Sequence, residues 1–87
     1  MFVSNKSIYL SNTANSGINN EIRGIMAAND FWRVAGGATA SNAGYMEIAT
    51  ADDSNEPIYV RQYSGVFSTL KRTATLLDAS GNTEFPV

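Results

Sequence analysis

Cysteine and histidine are both missing from this 87-residue sequence. The first absence excludes disulfide staples. Together they leave neither a thiolate nor an imidazole for a zinc site, and they exclude Ser-His-Asp and Cys-His catalytic sets. Charge is scarce. The six basic residues are scattered apart from Lys71–Arg72, so there is no stripe of the kind that tracks a nucleic-acid backbone. No apolar run is long enough to span a bilayer. The opening MFVSNKSIYL has a lone Lys and no continuous apolar stretch, so it does not read as a signal peptide. Stretches rich in Ala, Leu, Glu and Lys, which long amphipathic helices need, are lacking. Disorder does not fit either, because 44% of the residues are hydrophobic and 10% aromatic.

What remains is a polar composition of unusual kind, rich in Asn, Ser and Thr and poor in Lys and Glu. The length allows one domain, residues 1–87. A chain this short buries only about 60–65% of the surface it exposes when unfolded. Without staples, such domains often gain stability by oligomerising.

Read in order, the chain gives short strands separated by turn signals. Met1–Leu10 holds Phe2, Val3, Ile8, Tyr9 and Leu10 and could form one or two strands. Ser11–Asn20 is a loop by composition, so residues 1–20 can be an extension or linker. Glu21–Ala28 reads as a strand with Ile22 and Met26 on one face and Glu21, Arg23 and Ile25 on the other. Gly24 inside it hints at a bulge or a close backbone approach. Asn29–Asp30 is a plausible turn into a second strand, Phe31–Ala35, with Trp32 expected in the core. Gly36–Gly44 reads as a loop, and it lacks the GxxxxGK[ST] order of a phosphate cradle. Tyr45–Thr50 alternates well, with Met46 and Ile48 facing one way. An acidic turn, Ala51–Glu56, and Pro57 lead into Ile58–Tyr63. These two strands are expected to pair around the acidic turn. Val66–Leu70 and Thr73–Asp78 are further strands, with Lys71–Arg72 at a bend between them. About seven short strands and no helix predict an all-β fold of short antiparallel strands and hairpins.

Few residue groups could carry chemistry. Asp52, Asp53 and Glu56 are the one dense set of carboxylates. A calcium loop is conceivable, but the EF-hand order is absent and a solvated turn is the favoured reading. Paired carboxylates can hydrolyse glycosides, yet no pair is singled out and there is little room for a cleft. The chain therefore reads as a non-enzyme without catalytic, cofactor or metal residues. Tyr59, Arg61 and Tyr63 share one expected face. With Asn55 they form a possible ligand or receptor surface, although cross-strand packing is the favoured reading of the aromatics.

The last stretch is ATLLDASGNTEFP, Ala74 to Pro86. Leu76 and Leu77 sit among threonines that suit a pleated surface. Asp78–Asn82 has Gly81 near its end, which suits a hairpin with a type I turn or a bulge. Residues 74–87 therefore read as a closing hairpin. TLLDASGNTEFP resembles the connecting segment of side tail fibres of tailed bacteriophages and prophages, an "LLD-x-x-GNT-x-FP" element that leads into a following domain. FWRVAGGATASNAGYMEIATADDSNEPIYVRQYSGVF is similar to the glycine- and serine-rich fibre segments of that family. The resemblance covers roughly Asp30 to Pro86. It implies an intertwined homotrimer, with the small side chains of Gly36–Gly44 letting backbones approach a common axis. It also implies adjacent fibre domains as partners, location in the virion after synthesis in the host cytoplasm, and a supporting role in host attachment. The alternative it leaves open is a domain that binds a bacterial surface glycan such as lipopolysaccharide. Since the family continues past this FP, the sequence reads as one domain of a longer fibre.

Overall fold

The computed structural model describes residues 6–87. Among them the chain forms five strands and no helix: β1 (Gly17–Met26), β2 (Asp30–Ala38), β3 (Gly44–Ala51), β4 (Ile58–Ser64) and β5 (Thr69–Leu77). The strands are antiparallel and form two small sheets, one ordered β1-β2-β3 and one of β4 and β5. The all-β expectation holds.

Several boundaries differ from the sequence reading. Residues 1–5, part of the first expected strand, lie outside the described residues, and Lys6–Leu10 forms no strand. β1 starts at Gly17, inside the stretch expected to be a loop. β2 runs on through Gly36, Gly37 and Ala38. The loop that remains is short: Thr39 N–H donates to the Ala43 carbonyl at 3.1 Å, and Asn42 turns at φ 59°. The small residues of this stretch thus serve pairing, because Gly37 lies beneath Tyr45. A Cβ at Gly37 would meet the Tyr45 Oη at 2.6 Å and the Gly17 carbonyl oxygen at 2.8 Å.

The β1–β2 turn falls earlier than Asn29–Asp30. Ala27 and Ala28 take φ 48° and 70°, and Asn29 N–H closes the turn on the Ala27 carbonyl at 2.9 Å. Trp32 is not a core residue, with 38% of its surface exposed. Its indole covers Gly24, where a Cβ would stand 2.5 Å from Nε1. What crowds Gly24 is thus a side chain rather than the backbone expected there.

The pairing of β3 with β4 is corrected. β3 pairs with β2, and β4 pairs with β5. The reason is local. Between β3 and β4, Asp52 (φ 141°) and Ser54 (φ 70°) turn the backbone, Asp53 N–H is held by Glu56 Oε2, and Thr50 Oγ1 donates to the Glu56 carbonyl at 2.7 Å. The loop is stabilised by its own polar groups rather than by a ladder.

β5 is one strand, and Lys71–Arg72 lies inside it. Its register with β4 shifts between Gln62 and Tyr63 and between Ile58 and Tyr59. Lys71 and Leu76 are the extra residues on the β5 side. The closing hairpin is reduced to one bridge, in which Thr75 and Glu84 exchange two backbone hydrogen bonds of 2.7 and 2.8 Å. Asp78 shapes the turn before it. Its Oδ1 accepts the N–H groups of Ser80 (2.8 Å) and Asn82 (2.9 Å), and Gly81 supplies φ 85°.

The chain divides into two compact units. One comprises residues 1–23 and 33–48, the other residues 24–32 and 49–87. Neither holds much of a core. Among the described residues Ala35, 4% exposed, is the buried hydrophobic, and no large side chain is fully buried.

Candidate functional surfaces

In the first unit, strand alternation sorts the sheet into two unlike faces. On one face Arg33 sits between two carboxylates. Its Nη2 donates to Glu47 Oε1 at 2.9 Å, and its Nη1 reaches Glu21 Oε2 at 3.5 Å. Arg23 pairs with Glu21 at 3.3 Å. The Glu47 hydrogen bond above all raises the Arg33 pKa, against some loss of hydration. Exposed ion pairs add little stability, and what this one shows is that Glu21, Arg33 and Glu47 stand side by side across three strands. The opposite face presents Ile22, Val34, Met46 and Ile48, all exposed. Ile22, Val34 and Met46, with Leu10, border an open groove of about 220 Å³. The charge ladder was legible in the sequence as alternate positions of three strands, but it needed the β2–β3 pairing to be assembled.

In the second unit Asp30 joins Asp52, Asp53 and Glu56, and one carboxylate oxygen from each lies within 4.8 Å of all the others. Asp30 was missed because the sequence paired β3 with β4. Pairing β3 with β2 antiparallel brings the start of β2 to the end of β3. These are the described residues whose oxygens could surround a hard cation. Desolvation first, then a hydrogen bond that the protonated Asp52 would donate to the Asp30 carboxylate, and the charges of Asp30 and Glu56, push the Asp52 carboxyl up. Glu56 uses Oε2 for the Asp53 N–H, while its Oε1 is enclosed without a hydrogen-bond partner.

The residues expected to form a ligand surface lie in the same unit. Arg61 and Tyr59 come together, the guanidinium carbon 4.2 Å from the ring centroid. Tyr63 turns to the β4–β5 tip instead, meeting Phe67 edge-on with ring centroids 5.5 Å apart. Asn55 lies in the acidic turn before β4 and is exposed. Phe67 was missed because it occupies a turn, where it is 80% exposed and held at φ 57°.

These features define a small antiparallel β chain with little core of its own and several uncovered apolar side chains. No family model, curated protein or solved structure matches it.

Proposed function

We propose that this chain is a structural module of a phage or prophage tail fibre, three copies of which form a shaft or knob that supports attachment to the host surface. The observation that carries this reading is the scarcity of a core. Ordering a residue's backbone costs on the order of 1–2 kcal/mol. Fully burying an aliphatic side chain returns about 1.5–3 kcal/mol, and among the described residues no large side chain is fully buried. In this reading association supplies the burial that stabilises the chain, as it does for many small domains without staples. The number of copies and the fibre assignment rest on the TLLDASGNTEFP resemblance. In this reading no residue is catalytic, no cofactor or nucleic acid is bound, the partners are further copies and adjacent fibre domains, and the place of work is the virion.

A second reading, recognition of a bacterial surface glycan, has one observation in its favour: Tyr59, Arg61 and Tyr63 are exposed on β4. Against it, the Tyr59 ring face on which a sugar would stack already carries Arg61.

Sedimentation equilibrium over a wide concentration range tests the leading reading. A mass of three chains is expected. A well-folded single chain at all concentrations would overturn it. Binding on a glycan array that is lost in Tyr59→Ala would move the assignment to the second reading.

A further inference from the structure

We infer that the tip of the β4–β5 hairpin docks on an anionic lipid surface. Val66 and Phe67 enter the interface, and Lys71 and Arg72 meet the phosphates behind them. This inference goes beyond the fibre reading and does not rest on it.

Three observations point to this partner. The first is the tip itself. After β4 the chain turns through Gly65 (φ 68°) and Phe67 (φ 57°), and Ser68 N–H closes the turn on the Ser64 carbonyl at 3.3 Å. Val66 and Phe67 thus stand at the end of the hairpin, 90% and 80% exposed. Tyr63 meets Phe67 edge-on and pairs across the strands with the exposed Leu70. Together they make one apolar patch, and such patches mark contact surfaces. A phenol joins an apolar body to a polar end, a combination enriched where a bilayer meets water.

The second observation is charge. From Pro57 to Leu77 the chain carries Arg61, Lys71 and Arg72 and no acidic residue, although acidic residues outnumber basic ones over the whole sequence. The ion pairs among the described residues are made by Arg23 and Arg33. Lys71 and Arg72 are exposed, and Arg72 donates to the uncharged Gln62 side chain. Cations without a counter-charge of their own complement a negative surface, which anionic lipid headgroups supply.

The third is the order along the hairpin. Ser64 pairs with Thr69, Tyr63 with Leu70, and Gln62 with Arg72. Arg72 therefore lies roughly 10 Å of strand behind Thr69. The apolar tip leads, Tyr63 and Leu70 follow, and the cations come last. Amphipathic segments on a bilayer sink their apolar side about 5–10 Å into the boundary of headgroups and acyl chains. At that depth Lys71 and Arg72 are level with the phosphates. A soluble acidic polymer would match the charges but leave Val66 and Phe67 in water. A lipid surface accounts for both.

The test exploits the absence of cysteine. Val66→Cys and Arg23→Cys, made separately, carry a dye whose emission reports the polarity around it. Vesicles of phosphatidylcholine, with and without phosphatidylglycerol, are mixed with the labelled variants and with the unlabelled parent, and bound protein is measured by cosedimentation. The parent is expected to bind the vesicles that contain phosphatidylglycerol more tightly, and salt should weaken that binding. Lys71→Gln and Arg72→Gln should each weaken it about fivefold, the effect of one cation near an anionic surface. Phe67→Asn keeps a residue that tolerates positive φ and should weaken it about tenfold. Arg23→Gln should leave it unchanged. On binding, the dye on Val66→Cys should shift to the blue and the dye on Arg23→Cys should not. Failure of the parent to bind would overturn the inference, as would binding indifferent to Lys71→Gln and Arg72→Gln. A bound Val66→Cys dye that stays in water would overturn it too. So would a blue shift without lipid, which would put a second copy on the tip. The sedimentation mass, which tests the fibre reading, is measured apart from all of these.

Discussion

Single residues decide how closely these strands can approach. Gly37 lies under the Tyr45 phenol and against the Gly17 carbonyl, and the carbonyl is backbone that cannot step aside. Gly37→Ala should therefore cost about 1–3 kcal/mol, the usual range for forcing a methyl into a filled site. A lower urea midpoint at an unchanged m-value would show it. Asp78 acts through charge as well as geometry. The N–H groups of Asn82 and Ser80 hold its carboxyl below the ordinary value of 3.8. A depressed folded pKa means that the unfolded chain binds the proton more readily. The contribution of Asp78 is then present above 3.8 and is lost as pH falls through the lower folded value. Asp78→Ala should lower stability at neutral pH and flatten the acid limb of a plot of urea midpoint against pH. An unchanged acid limb would show that the turn does not depend on the ionised carboxylate.

At the scale of elements, the existence of strands was legible and their partners were not. Met46, Glu47 and Ile48 alternate plainly, so β3 could be read directly. Its neighbour could not, because the choice between β2 and β4 depends on two turns. The β1–β2 turn is built on Ala27 and Ala28, residues that give no turn signal and take positive φ only at a cost. Asn29 and Asp30 drew the expected turn to themselves. The wrong partner for β3 then hid Asp30 from the acidic cluster and Arg33 from Glu47. Of the proposed ligand surface, alternation correctly indicated the adjacency of Tyr59 and Arg61. Tyr63 found a different neighbour, Phe67, because the turn after β4 brings that ring back to it, a contact that alternation along β4 does not show. The Ala-Ala turn also carries a prediction. Glycine has no Cβ to oppose the φ of 70° at Ala28, so Ala28→Gly should stabilise the protein by about 1 kcal/mol. Thermal unfolding at fixed concentration would measure it. A fall in stability would mean that the entropy glycine adds to the unfolded chain outweighs the relief of strain.

At the largest scale, most of the large apolar side chains among the described residues are exposed and Ala35 is the buried hydrophobic. If association supplies the missing burial, folding and assembly are linked, and the midpoint of unfolding must rise with protein concentration. Denaturation followed over a wide range of concentrations, from micromolar upward, would show this rise, and a constant midpoint would contradict the assembly reading. The closing bridge has a different kind of consequence. Thr75 and Glu84 are joined by two hydrogen bonds, with the Asp78–Asn82 turn folded between them. A pull applied beyond Pro86 meets these two bonds before it meets the longer β4–β5 ladder. The segment would give way first and release the residues of the turn as slack. A chain tugged from that end should thus lengthen by a fixed small amount at low load while its sheets stay intact, the slack coming from Asp78 to Thr83.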